Sequence, residues 1–217
     1  MIKLIIFDLD GVLLDGKKIH FETLNLALGE EYSITYDEHL AKFDGLKTYE
    51  KLNIISKEKN LPENLHKQIW DKKQQLTVDA LKNLEHSESL IDCMTKLKKS
   101  NFILAVCSNS IKETILISLS KLGIIDYFDL ILSNEDVKNS KPHPEIFWKA
   151  MSEFSCVPEE TLIVEDSPAG LRAAHRCTNN VIRIKNVKET NYNNILKYLN
   201  KKRSEEHTSE LQSRFGI

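Results

Sequence analysis

A short apolar run near the N-terminus leads directly into two aspartates. The residues Lys3–Phe7 are mostly apolar, and Asp8 and Asp10 follow them. A continuous apolar run of this length is typical of a strand buried on both faces of a parallel sheet. Because open α/β sheets bind ligands beyond the carboxyl ends of their strands, both carboxylates are predicted to lie at a ligand site. Paired carboxylates there suit a hard cation and a charged substrate.

Further apolar runs predict the rest of a doubly wound parallel sheet. The predicted strands are Lys3–Phe7, Phe102–Cys107, Phe128–Leu132, Leu162–Glu165 and Val181–Ile184. Apolar residues recur at helical spacing between the later runs, with Gly123 as a helix stop and Pro144 as a helix start. Strands that alternate with helices in this way predict an α/β fold.

The interval between the first two predicted strands is far longer than one crossover helix requires. Its helical patterns cover Lys17–Leu28, Tyr36–Phe43, Tyr49–Lys59 and Pro62–Leu84. We therefore predict an inserted helical domain over residues 15–85, with Phe43 and Trp70 in its core. Residues 1–14 and 86–201 are predicted to form the α/β core.

The composition is that of an ordinary globular protein. Charged residues make up 29% and hydrophobic residues 41%, with a formal net charge of -2. This charge and the lack of a long basic run give no reason to expect nucleic acid or a membrane as partner. The N-terminal apolar run is too short for a signal peptide, and no apolar stretch reaches the length of a membrane span. We expect a cytoplasmic monomer, with Cys93, Cys107, Cys156 and Cys177 as free and mostly buried thiols.

The segment FDLDGVLLD at the first strand resembles the first motif of the haloacid dehalogenase-like phosphohydrolases. Three further segments resemble the remaining motifs in the family's order: Ser108-Asn109, Lys141-Pro142 and Glu165-Asp166. Each lies where a predicted strand ends or just before a predicted helix. On these four motifs the chain is identified as a member of that superfamily. The helical insert resembles the cap domain of its β-phosphoglucomutase-like branch, and such a cap can close over substrate and exclude water.

The resemblance implies a catalytic role for each motif. Asp8 would attack phosphorus and form an aspartyl-phosphate, while Asp10 would act as general acid and then general base. Lys141 would offset negative charge on Asp8 and on the phosphoryl group. Ser108 and the Asn109 amide would donate hydrogen bonds to phosphoryl oxygens, although a helix N-cap is an equally good account of Ser108.

A Mg²⁺ site is also implied by the resemblance. Its ligands would be the Asp8 side chain, the Asp10 main-chain carbonyl and Asp166. Glu165 would contribute directly or through water, or would orient the other ligands. His20 would lie at the hinge and face the substrate, although a lone histidine on an amphipathic helix is more often structural.

One departure from the mutases of that branch concerns the cap. Those enzymes carry an arginine just after a cap glycine, and usually a lysine just before it, which grip the second phosphate of the substrate. Here Asp44 precedes Gly45 and Thr48 takes the place of the arginine, with Lys42 and Lys47 nearby. Because Asp44 would repel a second phosphate, we favour a phosphatase of a small phosphorylated metabolite over a sugar phosphomutase.

Two other functions fit the motifs less well. A haloacid dehalogenase uses the same attacking aspartate but ordinarily lacks the second one, so Asp10 argues against it. A non-catalytic binding protein on this fold would be expected to have lost Asp8, Asp10, Lys141 or Asp166, and all four are present. The substrate stays open among phosphorylated sugars, glycerol phosphate, phosphoglycolate and nucleotides.

The C-terminal segment changes character at about residue 202, after a predicted closing helix that contains Ile195, Leu196 and Leu199. Residues 203–213, RSEEHTSELQS, look like the in-frame translation of a common sequencing-library adapter. Polar residues dominate, and a single leucine offers no apolar stripe. We expect residues 202–217 to be extraneous to the natural protein and to contribute nothing to catalysis.

Overall fold

The protein folds around a five-stranded parallel sheet. The computed structural model describes the backbone of residues 1–215 and the side chains of residues 1–202 and 204. The strands are β1 Leu4–Phe7, β2 Ile103–Cys107, β3 Leu130–Leu132, β4 Thr161–Glu165 and β5 Val181–Arg183. They lie in the order β3-β2-β1-β4-β5, and every neighbouring pair is parallel. The predicted doubly wound α/β fold is confirmed.

Both faces of the central strand are covered, which explains why its sequence does not alternate between apolar and polar residues. Leu4, Ile5, Ile6 and Phe7 are all fully buried. Successive side chains point to opposite faces of a sheet, so Ile5 and Phe7 join one apolar cluster and Leu4 and Ile6 join the other. Burial on both faces is the normal state of a strand in a parallel sheet.

Helices fill the intervals between the strands. Their bounds are α1 Gly16–Leu28, α2 Tyr36–Glu38, α3 Thr48–Lys59, α4 His66–Leu81, α5 Glu88–Lys99, α6 Lys112–Lys121, α7 Glu145–Glu153, α8 Pro168–His175 and α9 Tyr192–Phe215. Helix α2 continues as one π-helical turn over His39–Phe43. The helix predicted over residues 62–84 begins with a 3₁₀ turn at Glu63–Leu65 and ends earlier, at Leu81.

The segment between β1 and β2 has an apolar core of its own. This cluster contains Leu24, Ala27, Leu28, Ile34, Phe43, Leu52, Ile55, Leu61 and Ile69. Phe43 is buried as predicted, and Trp70 is half-buried and packs against the same cluster. Trp70 lies one position round the helix from Ile69, at the edge of the buried face of α4, where it is half-buried and stacks on Tyr49 with ring centroids 6.0 Å apart. The Trp70 side chain therefore packs against this core and also lines the cleft.

The last helix closes the sheet on the side of α5. Ile195 and Leu199 are buried in the same cluster as Ile5 and Phe7. The prediction that residues 202–217 are extraneous falls almost entirely outside the side chains that the structure describes, so it stays a prediction.

All four cysteines are free and buried, as predicted. Among the described residues, none of the helices combines the length and apolar character that crossing a membrane requires.

Candidate active site

The candidate site lies at the carboxyl ends of β1, β2 and β4. Phe7 pairs in register with Val106 of β2 and Val164 of β4. The next residues on these three strands, Asp8, Cys107 and Glu165, therefore lie at one edge of the sheet. Strand β2 lies on one side of β1 and β4 lies on the other, so the strand order reverses at β1. Open α/β sheets bind ligands at such a topological switch point.

Lys141 joins two of the carboxylates at this edge. Its Nζ atom lies 2.7 Å from Asp8 Oδ1 and 2.6 Å from Glu165 Oε1. The same ammonium donates a hydrogen bond to the main-chain carbonyl of Cys107 at 2.8 Å and lies 4.8 Å from the centre of the Phe147 ring. All three donor positions of this buried lysine are thus occupied, which fixes it beside Asp8.

Burial and the neighbouring charges shift the pKa values of both Asp8 and Lys141. Burial raises the pKa of Asp8 well above its ordinary value, against the opposing charge of Lys141 and with the help of Glu165, Asp166 and Asp10. Burial would lower the pKa of Lys141, but its two carboxylate partners outweigh burial and raise that pKa. The 2.7 Å contact and the raised pKa of Lys141 identify a buried ion pair of Lys141 with Asp8, and the raised pKa of Asp8 reflects the surplus of carboxylates around it.

Three buried carboxylates form a candidate cation site. Asp8, Glu165 and Asp166 each place an oxygen within 4.8 Å of the others. The Asp166 oxygens are buried, and among the described residues their close partner is Lys17, whose Nζ lies 2.7 Å from Oδ2. Burial, followed by the charge of Glu165, raises the pKa of Asp166 to about 6. Such an arrangement of oxygen donors with unfilled acceptor positions fits a hard divalent cation.

Glu165 is the most fully hydrogen-bonded member of the three. Its Oε2 atom accepts hydrogen bonds from the main-chain N–H groups of Asp166 and Ser167 at 2.8 and 3.0 Å, and from the Ser167 hydroxyl at 3.2 Å. Its Oε1 atom accepts the bond from Lys141. Both oxygens are thus already engaged, which favours the interpretation of Glu165 as a residue that orients Lys141 and supports the site.

The turn after β1 sends the second aspartate toward the cap. Gly11 has a φ of +88°, and a Cβ atom at this position would collide with the Asp166 carboxylate. Asp10 Oδ1 accepts a hydrogen bond from His20 Nε2 at 2.9 Å, and Asp10 Oδ2 accepts one from the Ser110 hydroxyl at 2.9 Å. The two aspartates of the DxD segment therefore have different partners and different environments.

Asp10 is a carboxylate in this arrangement. Burial would raise its pKa, but the charge and hydrogen bond of His20, the hydrogen bond of Ser110 and the nearby Lys73 together lower it to about 2. The Lys73 Nζ atom lies 3.3 Å from His20 Nδ1. A lysine ammonium only donates, so this contact assigns the imidazole proton to Nε2, from which His20 donates to Asp10. Lys73, His20 and Asp10 form a chain from the cap to the core.

The two residues of the second motif lie at the end of β2, with roles partly different from those expected. Ser108 is buried, and its hydroxyl accepts a hydrogen bond from the main-chain N–H of Ser110 at 3.0 Å. The alternative that Ser108 caps a helix is wrong, because α6 begins only at Lys112 with Ile111 as its N-cap. The Asn109 side chain donates to the Gly45 carbonyl at 2.8 Å and to the Lys141 carbonyl at 3.1 Å.

The loop between α2 and α3 lies against this edge of the sheet. Asp44 lies 3.0 Å from Lys17 Nζ, the same ammonium that contacts Asp166. Gly45, with a φ of +75°, approaches the Ser167 side chain so closely that a Cβ atom would lie 2.9 Å from its hydroxyl. The charge of Asp44 is therefore offset within the protein, which weakens the sequence argument that Asp44 repels a second phosphate.

Several residues that line the site were not identified from the sequence, namely Lys17, His39, Lys51, Lys73 and Ser110. A signal for two of them was present. Lys73 occupies the same face of α4 as Ile69, and Lys51 the same face of α3 as Ile55, each at a spacing of four residues. A lysine in the apolar stripe of a helix is either buried with a partner or directed into a cleft. Lys17, His39 and Ser110 have no comparable sequence signal.

The cleft between core and cap has a volume of about 280 Å³. Its walls carry Asp8, Asp10, Ser108, Asn109 and Lys141 from the core. Residues of the helical insert, among them His20, face them across the cleft. The predicted site residues Asp8, Asp10, Lys141, Ser108, Asn109, His20, Glu165 and Asp166 are thus brought to one edge of the sheet. A volume of this size suits a small metabolite.

Comparison with known proteins identifies the family. The sequence model of the haloacid dehalogenase-like hydrolases matches residues 5–184. A phosphorylated carbohydrates phosphatase of Thermotoga maritima is 30% identical over 174 residues, which cover 78% of this chain and 79% of that protein. The chain belongs to the haloacid dehalogenase-like hydrolase family, and it is a hydrolase of the phosphatase type that the four motifs predict.

A second relative and a solved structure are also similar to this chain. Pyrophosphatase PpaX of Oceanobacillus iheyensis is 26% identical over 200 residues, which cover 88% of this chain and 87% of that protein. The crystal structure of β-phosphoglucomutase from Clostridium difficile superposes with a TM-score of 0.78 at 24% identity, covering 93% of this chain and 98% of that one. The resemblance to a capped branch of the family is therefore borne out in the fold.

Proposed function

We propose that the protein is a Mg²⁺-dependent phosphatase that hydrolyses a small phosphorylated metabolite through an aspartyl-phosphate at Asp8. The observation that carries this proposal is the buried Asp8–Lys141 ion pair beside two further carboxylates, with Asp10 held separately on its other side. A carboxylate that is fixed by an ammonium can serve as a nucleophile. The phosphatase and the pyrophosphatase among the relatives agree with this reaction type.

The proposed reaction has two steps. In the first, an Asp8 carboxylate oxygen forms a bond to phosphorus, the bond between phosphorus and the leaving oxygen breaks, and protonated Asp10 donates a proton to the leaving alkoxide. In the second, the Asp10 carboxylate takes a proton from water, the water oxygen bonds to phosphorus, and the bond to Asp8 breaks. Inorganic phosphate leaves, and both aspartates return to their starting forms.

The environment of Asp10 fixes its protonation state before substrate binds. Its low pKa of about 2 makes it a carboxylate in the free protein, which is the form that the second step requires. For the first step Asp10 must be protonated, and the negative charge of a bound phosphoryl group would raise its pKa in that direction. His20 and Ser110 would hold the carboxylate in place, so we propose that His20 positions Asp10 as well as lining the substrate cleft.

Mg²⁺ would be held by Asp8, the Asp10 main-chain carbonyl and Asp166, with Glu165 as a direct or supporting carboxylate. When bound, the ion would supply positive charge next to the phosphoryl oxygens. Ser108 and the main-chain amide of Asn109 lie at the end of β2, where they could donate to the remaining phosphoryl oxygens. Lys141 would offset the charge of Asp8 and of the phosphoryl group.

We expect water to accept the phosphoryl group, because the cap lacks the arginine that grips a second phosphate in the mutases. The test is incubation with β-glucose 1-phosphate and a sugar bisphosphate primer in the presence of Mg²⁺. Inorganic phosphate should accumulate with little glucose 6-phosphate, and chelation of the metal should stop its release. Efficient formation of glucose 6-phosphate would instead establish the alternative, a β-phosphoglucomutase-like phosphomutase.

A generic aryl phosphate separates the enzyme from a binding protein on the same fold. With p-nitrophenyl phosphate, the proposed phosphatase should release p-nitrophenol in a Mg²⁺-dependent reaction. A folded protein that releases none, from this ester or from a panel of phosphorylated metabolites, would contradict the proposed function.

A further inference from the structure

The ammonium of Lys17 joins the candidate cation site to the helical insert. Its Nζ atom lies 2.7 Å from Asp166 Oδ2 and 3.0 Å from Asp44 Oδ2. Asp166 is one of the three carboxylates of the candidate cation site. Asp44 lies in the loop between α2 and α3, which we call the cap loop. One ammonium therefore divides its charge between a candidate metal ligand and an acid of the cap loop.

The start of α1 fixes the position of Lys17. Gly16 precedes it, and a Cβ atom at Gly16 would collide with the Asp10 carboxylate, so the helix can begin this close to the first motif only because Gly16 has no side chain. The side chains of Lys17, Asp44 and Asp166 are 24%, 13% and 1% exposed, which protects both ion pairs from screening by salt. Burial would lower the pKa of Lys17, but Asp166 and then Asp44 raise it, so the ammonium is charged at neutral pH.

The pair of Lys17 with Asp44 belongs to an arrangement in which the cap loop lies against the core. The Asn109 side chain donates a hydrogen bond to the Gly45 carbonyl at 2.8 Å. Gly45 also approaches Ser167 so closely that a Cβ atom would lie 2.9 Å from its hydroxyl oxygen. These two contacts hold the residue next to Asp44 on the core, within reach of Lys17.

A positive charge beside a metal ligand opposes cation binding. A divalent cation on Asp166 and the Lys17 ammonium on the same carboxylate repel each other, and burial leaves this repulsion poorly screened. Asp44 has the opposite effect, because it attracts the ammonium and competes with Asp166 for it. The affinity of Asp166 for a cation therefore depends on how strongly Asp44 holds Lys17.

We propose that Lys17 is a positioning residue that couples divalent-cation binding at Asp166 to docking of the cap loop. With the loop docked, Asp44 shares the ammonium and the cation binds more tightly. Without Asp44, Lys17 stays on Asp166 and the cation binds more weakly. By linkage, a bound cation favours the pair of Lys17 with Asp44 and thus the docked loop. This inference rests on the proposed function, because it takes Asp8, Glu165 and Asp166 as the cation site.

Metal binding in the absence of substrate tests the proposal. Mn²⁺ serves as the probe because it prefers oxygen ligands, as Mg²⁺ does, and free Mn²⁺ is measured by electron paramagnetic resonance at constant ionic strength. Lys17→Met should lower the Kd for Mn²⁺ by about tenfold or more, and Lys17→Gln should change it in the same direction. A structural defect would weaken binding, so tighter binding is specific to the loss of the charge.

Three further variants control this measurement. Lys18→Met removes the next lysine in the chain, whose side chain is 76% exposed, and should change the Kd by less than about twofold. Lys17→Arg keeps the positive charge and should keep the weaker binding of the wild-type protein. Lys17→Met combined with Asp166→Asn should lose the tight binding, which assigns that binding to Asp166.

Asp44→Asn tests the link to the cap loop. In the wild-type background this change should raise the Kd for Mn²⁺ by about fivefold or more, because the Lys17 ammonium then stays on Asp166. In the Lys17→Met background the same change should have a clearly smaller effect. A double-mutant cycle reports the difference as coupling between Lys17 and Asp44.

Two outcomes overturn the proposal. One is that Lys17→Met and Lys17→Gln, both folded by circular dichroism, bind Mn²⁺ no more tightly than the wild-type protein. The other is that Asp44→Asn raises the Kd by the same factor in both backgrounds. Failure of the proposed function has a different signature, since neither the wild-type protein nor Lys17→Met would then bind Mn²⁺ in a way that depends on Asp166, and p-nitrophenyl phosphate would not be hydrolysed.

Discussion

Asp8→Asn is expected to reduce phosphate release by about a thousandfold or more while the protein stays folded. The amide is a poor nucleophile, and loss of a nucleophile that acts within a catalytic group removes most of the rate enhancement. The amide oxygen can still accept the hydrogen bond that Lys141 now donates to Asp8 Oδ1 at 2.7 Å, and Lys141 keeps its partner Glu165. The measurement is steady-state hydrolysis of p-nitrophenyl phosphate, with the melting temperature as the check on folding.

Asp15→Asn is the matched control for this variant. Asp15 belongs to the same FDLDGVLLD segment but is exposed, and its side chain makes no capping hydrogen bond to α1. The control variant should keep essentially the wild-type rate. Near-normal turnover in a folded Asp8→Asn protein would exclude Asp8 as the nucleophile.

Lys141→Met is expected to have the largest effect on stability. The change leaves Asp8 and Glu165 as buried carboxylates without their shared cation, and breaking a buried ion pair from one side typically costs about 3–5 kcal/mol of unfolding free energy. Turnover should also fall by about a hundredfold or more, since the charge that offsets Asp8 and the phosphoryl group is lost. Urea unfolding in the presence of a chelator measures the first effect.

Two further variants test whether the loss of stability in Lys141→Met comes from breaking the ion pair. Lys138→Met removes an exposed lysine three residues earlier and should change the unfolding free energy by less than about 0.5 kcal/mol. Asp8→Asn combined with Lys141→Met removes one of the stranded charges and should recover part of the loss, which a double-mutant cycle reports as coupling between the two sites. A Lys141→Met protein as stable as Lys138→Met would show that this ion pair does not hold the site together.

The site residues at the strand ends could be placed from the sequence, because parallel neighbouring strands end at the same edge of the sheet. Once Lys3–Phe7, Phe102–Cys107 and Leu162–Glu165 are predicted as parallel neighbours, the residues just beyond their ends must meet at one edge. Asp8, Ser108 and Asp166 meet there for that reason. The sequence did not indicate how Glu165 is used, because its hydrogen bonds to the main chain of Asp166 and Ser167 depend on the geometry of the turn after β4.

The cap side of the site was much less predictable. Which face of α3 or α4 looks into the cleft depends on how the insert packs on the core, and helical periodicity does not define that packing. Asp44 is an example of a residue whose role the sequence alone misjudges. From the sequence it is an isolated acid that repels phosphate, whereas in the fold Lys17, at the start of α1, forms an ion pair with it. The pairing of Lys17 with Asp44 is therefore visible only in three dimensions.

The most direct test of the central claim is to trap the aspartyl-phosphate in an Asp10→Asn protein supplied with p-nitrophenyl phosphate and Mg²⁺. The p-nitrophenolate leaving group needs little acid assistance, so Asp8 should still be phosphorylated, whereas hydrolysis of the intermediate should slow by about a hundred- to ten-thousandfold without its base. Quenching followed by borohydride reduction converts an acyl phosphate into an alcohol. Peptide mass spectrometry should then find homoserine at position 8, and none in Asp8→Asn. Reduction at another residue, or none during active turnover, would contradict the account.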